Sequence, residues 1–170
     1  MMRIARFMKV SRERFEEDWA AAFHDLPAPW EALRLPERAT AGSAGYDFYS
    51  PRDFELKSGE TLLIPTGVRA RIDEGWVLML FPRSGLGFKY RLQLSNTVGV
   101  IDSDYFGAAN EGHILIRLHN AGDRPLTLRA GEAFAQGILL PCGLAEGDDV
   151  RTARTGGFGS TDPERGNLHD

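Results

Sequence analysis

From residue 33 onward, short β-prone runs alternate with breaks rich in glycine and proline, and this cadence limits the fold more than any other feature. Residues 61–64 stop at Pro65-Thr66-Gly67, residues 68–72 at Asp73-Glu74-Gly75, and residues 76–81 at Pro82. Residues 114–118, 126–128 and 134–140 follow, separated by Ala121-Gly122-Asp123 and Arg129-Ala130-Gly131. Strands at such spacing predict an all-β sandwich or barrel. No second helical pattern long enough for a βαβ unit appears, which argues against a parallel α/β sheet. A chain of 170 residues can hold one domain with a real core, or a domain plus an appendage.

The segments flanking this β region, residues 33–150, read differently. In residues 1–32 Ser11 is a helix N-cap candidate, and Glu13 lies in the first turn, where the helix dipole favours an acid. Phe15, Trp19 and Phe23 recur on one side among charged residues, the signature of an amphipathic helix with a packing face. Leu26-Pro27-Ala28-Pro29 should end it. We expect residues 1–32 to be an extension, a short strand plus this helix, leaning on the β domain. Residues 151–170 are rich in Gly, Thr and Arg, lack a core pattern, and are expected to be mobile until something orders them.

Composition narrows the partners. A net charge of -4 argues against charge-driven binding to nucleic acid or an acidic membrane, yet leaves room for one anion held by a few placed cations. Cys142 is the single cysteine, so neither an intrachain disulfide nor a cysteine-based zinc site is available. Arg3, Arg6 and Lys9 interrupt the N-terminus, and no run is long enough to span a bilayer, so a cytoplasmic location is expected.

Several segments carry chemistry rather than packing. In Gly99-Val100-Ile101-Asp102-Ser103-Asp104-Tyr105 a glycine permits a sharp turn, and an extended return arm would point Asp102 and Asp104 to one face. On its own this stretch also reads as a solvated acidic turn. Pro82-Arg83-Ser84-Gly85-Leu86-Gly87 follows an apolar strand and combines a planar guanidinium, a hydroxyl and accessible backbone N–H groups, the equipment of an anion loop or of an ordinary turn. Arg154-Thr155-Gly156-Gly157-Phe158-Gly159-Ser160-Thr161 reads either as a disordered tail or as an arm that lays Phe158 on a planar ligand. Gln136 is polar within an apolar strand, and Ala44-Gly45-Tyr46-Asp47 puts a carboxylate beside small residues. The four histidines lack metal-ligand spacing, and His113 and His119 are expected on strand surfaces.

These segments, in this order across residues 44–161, resemble the five motifs of the homotrimeric dUTPase family. The resemblance implies a distorted jelly roll, Mg²⁺ dependence, and hydrolysis of dUTP to dUMP and pyrophosphate in a homotrimer with shared active sites. It implies that Asp102 is the general base, and that Asn96, Gly99, Val100, Ile101, Tyr105 and Phe158 hold uracil and deoxyribose. Arg83, Ser84, Gly85, Gln136, Arg154, Gly159, Ser160 and Thr161 would hold phosphates, with Asp47 touching the metal through water. Residues 106–112 lengthen the chain after Tyr105, as in a branch of the family with a longer hairpin. Arg154 stands one residue closer to Phe158 than is usual, and Ala133 and Asp162 replace a common arginine and glycine. A related dCTP deaminase would need a glutamate that Asp-Ser-Asp-Tyr does not supply. A nucleotide-binding protein that has lost turnover is the other alternative.

Overall fold

The computed structural model describes residues 2–24, 26–152, 154 and 156. Eleven strands among them form small antiparallel sheets. Strands β2 (Tyr46–Tyr49), β11 (Ala133–Pro141), β6 (Trp76–Pro82) and β8 (Gly99–Ile101) lie side by side in the order β2-β11-β6-β8. A second sheet has the order β4 (Thr61–Pro65), β9 (Leu115–Asn120), β7 (Leu92–Leu94). Two-stranded pairs join β1 (Ala5–Lys9) to β5 (Val68–Ile72) and β3 (Phe54–Leu56) to β10 (Leu126–Leu128). This is the all-β fold that the punctuation predicts, of the jelly-roll type that the resemblance implies.

The burial pattern explains why these residues make strands. In β3, β8 and β10 a buried residue alternates with an exposed one, as a half-solvated sheet face requires. Strand β11 departs from this rule: Phe134 and Ala135 are both buried, and its register with β2 shifts between Ala133 and Ala135. A bulge of this kind re-aims the side chains that follow it, Gln136 among them.

The N-terminal extension belongs to the core. Phe15 and Trp19, on helix α1 (Arg12–Ala22), are 0% and 1% exposed and join Phe48, Ile64 and Phe134 in one apolar cluster. Ser11 caps α1, its hydroxyl accepting the Arg14 N–H at 3.1 Å. The helix ends at Ala22, ahead of the prolines expected to stop it, and the Trp19 indole N–H donates to the Leu26 carbonyl at 3.0 Å. Phe23 then stacks on Phe54 at 5.4 Å, carrying the aromatic stripe onto β3.

One loop expected from the sequence is helical. Residues Ser84–Tyr90 form a short helix, α2, closed by Arg91 in the left-handed region at φ 54. Truncating the large side chain that anchors α1 tests this packing. Trp19→Ala should lower the unfolding free energy by about 3–5 kcal/mol, read from urea midpoints; a loss below about 1 kcal/mol would mean that α1 is not part of the core.

Candidate active site

Of the expected phosphate-holding residues, Arg83, Ser84, Gly85 and Gln136 gather at one end of β6. Register places Gln136 opposite Asp47 on β2 and opposite Phe81 on β6, so one edge of the sheet brings the strand ends together. The Gln136 amide donates to the Pro82 carbonyl at 3.3 Å, and Arg83 Nε lies 3.3 Å from Asp47 Oδ1. Asp47, Arg83, Ser84 and Gly85 line a common open depression. Gly45 is part of this construction, because a Cβ there would stand 2.5 Å from the Gln136 amide oxygen.

The other expected residues run along the far side of β6: Gly99 is level with Leu80, near the Pro82 end, and the chain then carries Asp102 toward Val77. Strands β7 and β8 are joined by a turn in which the Thr97 N–H donates to the Leu94 carbonyl at 2.9 Å. The left-handed residue of that turn is Thr97, at φ 67, not Gly99. Gly99 lies inside β8 for a different reason: a Cβ there would sit 3.0 Å from the Leu80 Cβ on β6. Leu63, Leu80, Leu94, Asn96, Gly99 and Arg117 help line a groove of about 380 Å³ beside this hairpin. Val100 faces outward and is 52% exposed, whereas Ile101 is 1% exposed and packs in the core. Only the backbone of Ile101 is therefore free to meet a ligand.

Past Asp102 the chain leaves the extended conformation expected for it and forms a 3-10 helix, Ser103–Gly107. Asp102 and Asp104 nevertheless converge. Arg154 donates through Nη2 to Asp102 Oδ2 at 2.6 Å and through Nε to Asp104 Oδ1 at 2.9 Å. Its guanidinium carbon lies 5.7 Å from the Tyr105 ring centroid. Tyr105 is buried, its hydroxyl donates to the His113 carbonyl at 2.8 Å, and burial raises the phenol pKa. The ring stays neutral across the physiological range.

His113 corrects the sequence reading. It is fully buried rather than on a strand surface, between Asp18 of α1 and the Gly67 backbone. Two spectators in the sequence, Asp18 and Asn110, thus lie near Tyr105; the Glu-Gly-His run after it was the available signal. Phe158, Gly159, Ser160 and Thr161, and the altered Asp162, fall outside the described residues.

Among the described residues no group of three or more His, Cys, Asp or Glu side chains could hold a metal. Two carboxylates, Asp47 and Glu132, line the depression beside Arg83, too few for a cage of protein ligands but a set that fits a dication bringing most of its own.

Asp102 and Arg83 lie apart along β6 within one chain. Ile101 pairs with Leu78, so Asp102 lies level with Val77, whereas Arg83 follows the far end of the strand. Six extended residues span about 20 Å.

Residues 106–112 are tied to the start of α1. Glu111 accepts from the Ser11 hydroxyl at 2.6 Å and from its N–H at 2.8 Å, and these bonds, the hydroxyl's foremost, lower its pKa. A depressed acid adds stability above its ordinary pKa and loses it as pH falls through the folded value. The urea midpoint of the wild type should therefore exceed that of Glu111→Gln near pH 7, and the gap should close below about pH 4. A gap that stays constant to acid would remove Glu111 from this role.

Comparison with known proteins shows the family. A family profile described as dUTPase matches residues 31–162. Deoxyuridine 5'-triphosphate nucleotidohydrolase of Lactococcus lactis subsp. lactis is 41% identical over 132 residues, 76% of this chain and 88% of its own length. The enzyme of that name from Pseudomonas entomophila is 46% identical over 133 residues, 74% of this chain and 85% of its own. The crystal structure of dUTPase from Streptococcus mutans superposes with a TM-score of 0.61 at 45% identity, covering 69% of this chain and 91% of that one. The dUTPase of Staphylococcus bacteriophage 80alpha with dUPNHPP, at 21% identity and a TM-score of 0.63 over 91% of this chain and 92% of its own, bears on the fold alone. By sequence and by fold this chain belongs to the dUTPase family, enzymes that hydrolyse dUTP to dUMP.

Proposed function

We propose that this chain hydrolyses dUTP to dUMP and pyrophosphate as a homotrimer, with each active site assembled from neighbouring copies. The observation that carries this reading is the separation of Asp102 from Arg83 by the length of β6. A site with both needs Asp102 of one copy against the phosphate loop of another. Phe88, 90% exposed beside that loop, and Val100 are apolar surface that such an assembly would cover.

In this reading Asn96 and the hairpin backbone meet uracil in the groove at Gly99, and Tyr105 lies against the deoxyribose where a 2′-hydroxyl has no room. Asp102 orients a water and takes its proton. The water oxygen bonds to the α-phosphorus as the bond to the bridging oxygen breaks, and pyrophosphate leaves. Arg83, Ser84, Gly85 and Gln136 grip the phosphates. Arg154 transfers from the carboxylates to the γ-phosphate as the C-terminal arm brings Phe158 onto uracil and Gly159, Ser160 and Thr161 onto phosphate. Mg²⁺ carried by the triphosphate, met through water by Asp47, supplies charge neutralisation. Such an enzyme in the cytoplasm removes dUTP and supplies dUMP for thymidylate synthesis.

Asp102→Asn should lower pyrophosphate release from Mg-dUTP by about 10²–10⁴-fold with the fold intact. Unchanged turnover would take the base role away from Asp102. Arg83→Ala should be severely impaired as well. When equal amounts of the two variants are mixed under subunit exchange, about a quarter of the sites regain both groups, so activity should reappear. A mixture as inactive as its components would show that each site lies within one chain.

A further inference from the structure

We propose that Asn110, His113 and Asp18 are positioning residues for Tyr105, so that helix α1 and residues 106–112 together set how strictly the site rejects a ribonucleotide. This inference rests on the dUTP-hydrolysing function proposed above and deepens it.

Two hydrogen bonds fix the Tyr105 hydroxyl. It donates to the His113 carbonyl at 2.8 Å and accepts from the Asn110 amide at 2.7 Å. Each partner is itself held. The Asn110 side-chain oxygen accepts the Gly112 N–H at 3.2 Å, which orients the amide so that its NH₂ faces the phenol. The His113 ring accepts the Gly67 N–H at Nε2 over 2.8 Å, so Nε2 carries no proton. The proton is then on Nδ1, which donates to Asp18 Oδ2 at 2.5 Å. Phe15 closes one side of the ring at 6.2 Å between centroids.

The surrounding segment is equally constrained. Glu111 receives both bonds from Ser11, and Arg69 donates to the Phe106 carbonyl at 2.6 Å while its guanidinium lies over the Phe106 ring at 3.7 Å. Gly112, at φ 69, lets the chain fold back on itself: a Cβ there would stand 2.6 Å from the Tyr105 carbonyl oxygen. The ring borders the space beside Asp102, where Arg154 lies.

Stability alone does not require this arrangement, because a buried tyrosine needs one partner for its hydroxyl and has a backbone carbonyl already. A ring that discriminates by excluding one oxygen atom must not yield by a few tenths of an ångström, and supports on both sides of its hydroxyl provide that stiffness.

The test compares wild type with Asn110→Ala, Asp18→Ala and Asp18→Asn. It measures kcat/KM for dUTP and UTP, and dissociation constants for the α,β-imido analogues of both. In Asn110→Ala and Asp18→Ala the dUTP:UTP ratio should fall by about threefold to tenfold, the scale of one lost hydrogen bond. The change should appear mainly as better use of UTP and a higher KM for dUTP. Asp18→Asn keeps an acceptor for Nδ1 and should stay near the wild-type ratio. An unchanged ratio in both alanine variants overturns the proposal, and so does an equal fall in Asp18→Asn. Should Asp18→Ala fail to fold, Asn110→Ala decides by itself. A wild type that binds the deoxy analogue without hydrolysing dUTP removes the proposed reaction, and the inference is then judged from the binding ratio. Binding of neither analogue overturns both.

Discussion

The antiparallel pairing of β6 with β11, continuous from Ala135↔Pro82 to Pro141↔Trp76, is the constraint on which the remaining structure depends. Leu78 and Leu80 on β6 and Phe134 and Ala135 on β11 are buried, so this pair is the apolar axis of the principal sheet. Expected site residues lie toward both of its ends. The Arg83 loop and Gln136 sit at one, and Asp102 is delivered to the other by the pairing of β8. A paired strand resists bending because its backbone hydrogen bonds and both side-chain faces would be lost together. In the proposed function a site that uses both ends is made by bringing copies together, which ties a feature of the sheet to assembly.

The electrostatics follow the same division. Each end pairs a guanidinium with acid groups: Arg83 with Asp47, and Arg154 with Asp102 and Asp104. In a chain of net charge -4 this keeps local charge balanced, while leaving arginines that a polyanion can claim by exchange. A phosphate that takes the arginine leaves the carboxylate needing another cation or a role as base. In the proposed function Asp47 and Asp102 meet these two different fates.

The parts of the chain furthest from the phosphate chemistry are not passive. Helix α1 contributes the largest side chain of the core, Trp19, and through Asp18 it reaches the buried His113. Residues 106–112, which lengthen the chain after Tyr105, are held by the N-cap of that helix, Ser11, through Glu111. A buried polar network is costly when one member is unmet, and here the His113 ring nitrogens and the Tyr105 hydroxyl are all engaged. The extension and the lengthened segment therefore stand or fall together.

What the sequence determined by itself was local. Glycine and proline breaks marked β4, β5, β6, β10 and β11 to within a residue or two, and Ser11 with Phe15, Trp19 and Phe23 marked α1, because strand and helix periods and cap chemistry act over neighbouring residues. The ordered motifs also named the family. Gly99 was noted for the wrong reason, since a turn and a close strand contact both exclude a side chain and look alike in sequence. Only the tertiary structure decided that Asp102 and Arg83 lie at opposite ends of one strand, that Ile101 faces the core, and that His113 is buried against Asp18. Those outcomes depend on strand order, on register and on contacts between residues about a hundred positions apart, and no spacing along the chain encodes them.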